Sequence, residues 1–308
     1  MANGIASGGM WAIFIAFVIV ALVVDLVALD RKGAKKVSVG EAVRWSLLWV
    51  SLALLFDGLL WVWLDHVSGP ELANQKATEF LTGYLIEKSL SVDNIFIFLM
   101  IFQSFLVPPE QQKRALIIGV IGAIVLRAIM ILAGAWLVER FHWILYLFGA
   151  FLLFTGVKMF FGGEEEEPDL EQNPILRWMR THLSMTAVFH DHQLTFIRDG
   201  VRWFTPLFAV VVLVSITDVI FAVDSIPAIF AITTDPFIVL TSNIFAILGL
   251  RAMFFLLADM ADRFHLLKYG LAVVLTFIGA KMLIVDFYKI PIGPALGVVA
   301  FILLTSVA

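Results

Sequence analysis

The sequence has no cysteine, which excludes disulfides, thiolate metal sites, iron–sulfur clusters and cysteine nucleophiles. Charge is also scarce: charged residues make up 15% of the 308 residues, against roughly a quarter in soluble domains. The net charge of −4 is too small to indicate a nucleic-acid partner. The chain is instead 61% hydrophobic, in runs long enough to cross a bilayer. We therefore expect an all-α, multi-pass membrane protein.

The apolar runs predict about nine membrane spans, since a spanning helix needs about 20 apolar residues. They lie near residues 10–30, 42–64, 80–106, 113–138, 141–161, 205–232, 237–259, 265–287 and 291–308. With nine alternating spans, thirteen basic residues fall on one side of the membrane and three on the other, Lys76, Arg140 and Lys289. Because basic loops stay in the cytoplasm, this bias predicts an outside N-terminus and a cytoplasmic main loop.

That main loop, residues 162–204, is the one long polar segment of the chain. A short helix is predicted over Ile175–Leu183. Gln193–Arg198 and Val201–Phe204 are predicted as two short strands around the Asp199-Gly200 turn, a cytoplasmic β-hairpin.

Two groups in this loop could serve as metal-gathering sites. The acidic run Glu164–Glu167 is most simply a solvated loop, and a regulatory or metal-gathering role is the alternative. The triplet His190-Asp191-His192 could also gather a metal, but two histidines without a further nearby ligand are weak evidence.

The sequence repeats itself, with five matching segments in the same order. The pairs are L-S-V-D-N-I (90–95) with F-A-V-D-S-I (221–226), V-L-R-A (125–128) with G-L-R-A (249–252), E-R-F-H (139–142) with D-R-F-H (262–265), T-G-V-K-M (155–159) with I-G-A-K-M (278–282), and the acids Glu87 and Asp218, each six residues before an Asp. Because each copy holds three spans, an odd number, we expect an inverted repeat of the transporter type; a duplication kept only for packing is the alternative.

This repeat defines the expected organisation of the chain. The predicted units are two N-terminal spans (1–79), a first three-helix repeat (80–161), the cytoplasmic loop (162–204), a second three-helix inverted repeat (205–287) and a C-terminal span (288–308).

Acidic residues inside the predicted spans are the candidate functional groups, because an ionised Asp at the centre of a membrane helix costs about 2.5–3.5 kcal/mol. Asp93 and its repeat equivalent Asp224 are expected to face each other at similar depth. Six residues of helix turn through about 600°, so Glu87 would point about 120° away from Asp93. Glu87 and Asp218 therefore bind a metal directly only if the helix is broken. Otherwise they lie outside the first coordination shell of the metal, as ion-pair partners or proton relays.

Further polar residues of the spans could take part. Asn94 and Ser225 follow the two Asp residues and add neutral oxygens, and Pro227 is expected to kink its helix and free carbonyl oxygens. Asn243 could contribute an amide oxygen or serve packing. The remaining charged groups of the spans could either line the ion pathway or form ion pairs. They are Asp25, Asp57, Arg127, Arg251 and Lys281. Pairing of acids with these bases is the structural alternative, and we expect at least one such pair.

Carboxylate, amide and carbonyl oxygens suit hard divalent cations such as Mg²⁺, Ca²⁺ or Mn²⁺. Clustered carboxylates in a low dielectric also bind protons, so protons and the metal would compete for the same oxygens. This competition predicts a pH-dependent exchange of the metal for protons.

Two long stretches resemble the TerC family of integral membrane proteins. They are T-G-Y-L-I-E-K-S-L-S-V-D-N-I-F (82–96) and S-I-T-D-V-I-F-A-V-D-S-I-P-A-I-F-A-I-T-T-D-P-F-I-V-L-T-S-N (215–243). The similarity covers nearly the whole chain and is closest to bacterial Alx-type members. It implies export of Mn²⁺ across the bacterial inner membrane, with no prosthetic group.

By this resemblance, Glu87, Asp93, Asp218 and Asp224 correspond to the family's acidic membrane residues, and Asp25 to an acid of its first span. Position 57 is Asp here, where Alx-type members often carry Asn.

We therefore expect a proton-coupled manganese exporter and not an enzyme, with manganese, protons and the lipid bilayer as its partners. A membrane scaffold that senses metal or stress without transport is the first alternative. An intramembrane aspartyl protease is the second, but S-L-S-V-D and I-F-A-V-D differ from the G-x-G-D motif of that class.

Overall fold

The computed structural model describes residues 4–30, 39–161, 174–186, 188–190, 193–257, 267–288 and 291–307. It consists of eleven helices and one two-stranded sheet in that part of the chain. In chain order these are α1 Gly8–Asp30, α2 Val39–Ser68, α3 Pro70–Ser104, α4 Pro109–Arg140, α5 Ile144–Phe161, α6 Pro174–His182, β1 Thr195–Arg198, β2 Val201–Phe204, α7 Pro206–Phe230, α8 Pro236–Leu248, α9 Leu250–Leu257, α10 Leu267–Leu283 and α11 Ile292–Val307.

The all-α membrane architecture expected from composition is confirmed at this level. Each predicted span coincides with a helix, and the seventh is divided at Gly249 into α8 and α9. Among the described residues, α2, α4, α5 and α7 contain segments that are long and apolar enough to cross a membrane, and four shorter apolar helices accompany them. The number of crossings stays a prediction.

Proline is the first residue of five of the described helices, α3, α4, α6, α7 and α8. Proline suits this position because the amide hydrogen that it lacks would have no partner inside the helix. At α7 the Thr205 side chain also accepts from the Phe208 amide, and at α8 the Asp235 carboxylate accepts from the Phe237 amide. Local sequence therefore sets where these helices begin.

The predicted hairpin and short helix of the main loop are confirmed. The strands β1 and β2 pair antiparallel, with Arg198 opposite Val201. Asp199 and Gly200 both have positive φ, 52° and 76°, as the tight turn between such strands requires. The helix α6 buries Leu176 and Met179 against Ala209 at the start of α7, which ties the loop to the membrane domain.

The predicted repeats pack reciprocally. The first repeat corresponds to α3–α5 and the second to α7–α10. α3 contacts α8 and α7 contacts α4, while α5 lies along α10. This exchange of partners is what a two-fold relation between the halves would produce, although the inverted relation itself stays a prediction.

Contacts between distant loop ends agree with the alternating span order. The Ile5 amide donates to Asp235 Oδ2 at 3.0 Å, and the Tyr146 hydroxyl donates to the Asp286 carboxylate. Ile5 and Asp235 are predicted on the outside, and Tyr146 and Asp286 lie near the predicted outer ends of their spans. On the opposite side, Phe105 packs against the cluster that joins α6 to α7. Which face is cytoplasmic follows only from the basic-residue bias and stays a prediction.

The contact between α5 and α10 depends on two glycines at equivalent repeat positions, Gly156 and Gly279. A Cβ at Gly156 would lie 2.5 Å from Thr276 Oγ1 and 2.6 Å from its backbone nitrogen. A Cβ at Gly279 would lie 2.5 Å from the backbone nitrogen of Leu153. Close backbone approach through small residues is a common basis of helix association in membranes.

Gly156→Ala is therefore expected to destabilise the protein by about 1–3 kcal/mol, because the added methyl group meets backbone atoms that cannot move aside. The matched control is Gly58→Ala in α2, where a Cβ meets nothing within 4 Å. Thermal unfolding of both variants in one detergent checks this. Equal midpoints for the two variants would show that the α5–α10 contact relaxes without cost.

Candidate functional site

A buried arginine lies at the centre of the membrane domain. Arg127 of α4 is 1% exposed, and its Nη1 donates to a carboxylate oxygen of Glu87 on α3. Its Nη2 and Nε donate to the two oxygens of Asp218 on α7, at 2.9 and 3.1 Å. The guanidinium therefore bridges a carboxylate of the first repeat and a carboxylate of the second.

The sequence places the polar groups of α3 on one face of that helix. Tyr84, Glu87, Ser91 and Asn94 follow one another at spacings of three, four and three residues, so they lie within an arc of about 80°. All four side chains are buried. An apolar membrane helix that carries such a face must turn it towards protein, and Glu87 of this face meets Arg127 of α4.

A corresponding face on α7 carries Asp218 and Ser225. These residues are seven apart, so they point within about 20° of each other. The Ser225 hydroxyl lies 3.4 Å from Nη1 of Arg127. The second repeat thus supplies one carboxylate and one hydroxyl to the same arginine.

Several buried polar atoms of this region have no hydrogen-bond partner among the described residues. They are Glu87 Oε2, Ser91 Oγ, Tyr84 Oη, and both side-chain amide atoms of Asn94 and Asn243. Buried polar groups nearly always find partners, and each exception requires an explanation. Most of these unpartnered atoms are oxygens, and Asn243 and Asn94 are 0% and 1% exposed.

The charges of the cluster do not balance. Two carboxylates face one guanidinium, so the ionised cluster keeps a charge of −1 in a setting that disfavours unpaired charge. Glu87 Oε2 is the carboxylate oxygen that Arg127 leaves unpartnered. A cation or a proton at that oxygen would complete the neutralisation.

At least one membrane acid was expected to pair with a membrane base, and the structure has two acids, Glu87 and Asp218, on Arg127. Whether Glu87 and Asp218 also bind a metal directly stays a prediction. In this state both oxygens of Asp218 are taken by Arg127. The unbroken helix α3 and the bridge to Arg127 fit the alternative in which the two acids lie outside the first coordination shell of a metal.

The two acids of the second repeat point in different directions, as the 120° offset requires. Asp224 is half-buried and accepts a hydrogen bond from the Thr155 side chain of α5. It therefore lies against α5, away from the Arg127 cluster. The side chain of Asp93 lies outside the described residues, so the expected meeting of Asp93 and Asp224 stays a prediction.

The expected kink at Pro227 also stays a prediction. The helix α7 continues through Pro227 and ends at Phe230.

Other predicted pathway residues have different surroundings. The side chains of Asp25 and Arg251 lie outside the described residues. Asp57 is half-buried, and its Oδ1 has no partner among the described residues. Lys281 is 8% exposed and lies within the electrostatic influence of Glu79.

The loop groups add no assembled metal site to this picture. Glu164–Glu167, Asp191 and His192 lie outside the described residues, and the ring of His190 packs on Phe196 at 4.1 Å. Among the described side chains, no group of three or more His, Asp or Glu could hold a metal.

Sequence reasoning missed Ser91 and Tyr84 of the α3 face. Their spacing from Glu87 places them on the same helix face, but serine and tyrosine are common in membrane helices, so this spacing alone does not indicate a functional site. It also missed an ion-pair cluster near the N-terminal end of α3, where Lys76 Nζ lies 2.8 Å from Glu79 Oε2 and 3.7 Å from Asp235 Oδ2.

The fold and this buried polar cluster define a polytopic helical membrane protein with ionisable groups in its interior. Residues 72–308 match the sequence model of the family described as "Integral membrane protein TerC family". The chain therefore belongs to the TerC family. No solved structure matches the chain.

Curated relatives align over almost the full length. The chain is 56% identical to the "Putative membrane-bound redox modulator Alx" of Salmonella typhi over 98% of this chain and 93% of that protein. It is 55% identical to the protein of the same name in Escherichia coli K12, over 99% and 94%. It is 49% identical to "Uncharacterized membrane protein STKORF319" of Myxococcus xanthus, over 98% and 92%.

Proposed function

We propose that this protein exports divalent manganese across the inner membrane in exchange for protons, through the polar cluster between its two repeats. The observation that carries the proposal is the set of unpartnered buried oxygens on α3 and α8, beside a carboxylate cluster of net negative charge. Such groups cost folding free energy, so a fold that keeps them needs another reason to do so.

The ligand chemistry favours a hard cation. The available atoms are carboxylate, hydroxyl and amide oxygens, which suit Mg²⁺, Ca²⁺ and Mn²⁺ better than the softer metals. Manganese as the ion and export as the direction come from the resemblance to TerC members. The name of the Alx relatives refers to redox modulation, and control of a redox-active metal is compatible with that name.

Exchange with protons follows from the same oxygens. A carboxylate such as Glu87 can accept a proton or contribute to a cation site, but the two events exclude each other at one oxygen. Sites between repeats are where transporters of this architecture alternate their access. Asp224 lies on a different face of α7 and is hydrogen-bonded to Thr155 of α5. From this position it could relay ions or protons along the second repeat.

Asn243→Leu tests this proposal by separating function from stability. Leucine has the branched shape of asparagine but is larger, and it removes two unpartnered amide atoms. The removed desolvation cost and the added overpacking oppose each other, so the free energy of unfolding is expected to change by less than about 1.5 kcal/mol. Its manganese flux is expected to fall at least about tenfold, because a hydrogen-bond donor or ligand worth about 1.4 kcal/mol is lost.

The measurement is Mn²⁺ flux into proteoliposomes loaded with a metal-sensitive dye, with and without a pH gradient. The control is Ile244→Leu, a volume-conserving change at the next residue of α8, with flux expected to match that of the wild type. A folded Asn243→Leu variant with full flux would remove Asn243 from the pathway.

The alternatives give different results in the same vesicles. A sensing scaffold would show no manganese flux from the wild-type protein under any gradient. An aspartyl protease needs two aspartates that share a proton, whereas Asp224 is hydrogen-bonded to a threonine. Wild-type flux that responds to the pH gradient separates the exporter from both.

A further inference from the structure

We propose that Arg127 is a built-in substitute cation, which neutralises Glu87 and Asp218 while the transported ion is absent and withdraws from Glu87 when that ion binds. The proposal rests on the proposed transport function and adds the step by which the site is vacated. Nothing else among the described residues places a cation on both carboxylates.

The bonding of Arg127 shows which carboxylate would be released. Asp218 receives two hydrogen bonds from the guanidinium, in the fork geometry that is strongest for arginine. Glu87 receives one, and its Oε2 is unpartnered. The arginine is therefore held by the second repeat and can leave the carboxylate of the first repeat at lower cost.

A second acceptor for the displaced group is already present. Ser225 Oγ lies 3.4 Å from Nη1, the nitrogen that donates to Glu87. Nη1 already donates a long hydrogen bond to that hydroxyl, and this bond can shorten if Nη1 leaves Glu87. The displaced guanidinium would then stay fully paired on α7.

Electrostatics makes the two cations exclusive. With Arg127 in place, the two carboxylates are left with a charge of −1, which attracts a cation to Glu87 Oε2. A divalent ion at that oxygen would give the cluster an excess positive charge and repel the nearby guanidinium. Since arginine does not lose its proton in proteins, it can relieve this repulsion only by moving.

The bridge also connects the two parts that transport is expected to move. Glu87 on α3 and Arg127 on α4 both belong to the first repeat, and the two hydrogen bonds from Arg127 to Asp218 join it to the second. Transporters with internal repeats work by moving one repeat against the other. Release of Glu87 by the arriving ion would therefore free a carboxylate of the first repeat, while the fork from Arg127 to Asp218 keeps the two repeats in contact.

The test measures Mn²⁺ binding to purified full-length protein by calorimetry, in parallel with flux in proteoliposomes. Removal of a competing cation is expected to tighten binding, so Arg127→Gln should lower the Kd for Mn²⁺ about tenfold. Flux should fall by a similar factor, because the ion is no longer displaced from the site. A merely structural arginine predicts weaker binding.

Arg127→Lys is the second variant, because it keeps a cation that can support folding but cannot form the fork to Asp218. Its Kd should fall about threefold, between wild type and Arg127→Gln. The control is Arg140→Gln, the same substitution at the exposed end of the same helix, with an unchanged Kd.

The outcomes separate the two proposals. Absence of flux from the wild-type protein would refute the transport function. Normal wild-type flux together with unchanged or weaker binding in both Arg127 variants would overturn the substitute-cation proposal alone.

Discussion

The Asp218→Asn variant is expected to lose about 2–3 kcal/mol of its free energy of unfolding, because it breaks the charge-assisted fork that holds Arg127, although Glu87 still matches the guanidinium charge. Asp218 supplies two of the acceptors that hold Arg127, and both side chains are almost fully buried. An asparagine at this position can accept only one of those hydrogen bonds and carries no charge. Denaturation in mixed detergent micelles measures the change.

A double-mutant cycle assigns this loss to the pair. Arg127→Leu combined with Asp218→Asn should recover up to about 3 kcal/mol of the summed single effects, since both changes break the same fork and the double variant leaves one unpaired carboxylate, Glu87, where Arg127→Leu alone leaves two. The control is Asp199→Asn in the hairpin turn, an exposed acid that lies 3.7 Å from Arg198. Its stability should change by less than about 0.5 kcal/mol. Additive losses at 127 and 218 would show that the pair does not couple.

Hydropathy and local chemistry allow much of the fold to be predicted. Each apolar run became a helix because the bilayer demands internal hydrogen bonding of every spanning segment. The hairpin could be predicted because the Asp199-Gly200 turn requires positive φ at both positions. These features depend on neighbours in the sequence, and so a sequence pattern captures them.

The boundaries that were missed depend on distant contacts. The helix α3 begins at Pro70, ten residues before the predicted span. Hydropathy did not include its first turns because they are polar, but ion pairs among Lys76, Glu79 and Asp235 stabilise them. The division between α8 and α9 falls at Gly249, where a Cβ would lie 2.6 Å from Lys88 Nζ of α3. Hydropathy carries no information on such contacts between residues that are distant in the sequence.

The same distinction applies to the site. The helical offset of Glu87 from Asp93, and of Asp218 from Asp224, follows from spacing within one helix, and the position of Asp224 against α5 agrees with it. That a single arginine binds both Glu87 and Asp218 could not be predicted. The three residues are 40 and 91 positions apart, and only the packing of α3, α4 and α7 brings them together.

Glu87→Gln is expected to behave in the opposite way to Asp218→Asn, with a large loss of function and a small loss of stability. Glutamine keeps an oxygen that can accept from Nη1 of Arg127, and the remaining Asp218 carboxylate still matches the single guanidinium charge. The fold should therefore lose less than about 1.5 kcal/mol, the net worth of an ordinary hydrogen bond. The negative charge that attracts a cation to the unpartnered oxygen disappears with the substitution.

Manganese flux in proteoliposomes should consequently fall at least about 100-fold, which corresponds to about 2.7 kcal/mol of lost cation binding. Glu71→Gln is the matched control, the same substitution at an exposed position in the first turn of the same helix, and its flux should equal that of the wild type. If Glu87→Gln kept flux within about threefold of wild type, its carboxylate would be a structural partner of Arg127 only. The cation would then have to pass along the face of α7 that carries Asp224, since that half-buried carboxylate does not depend on Arg127.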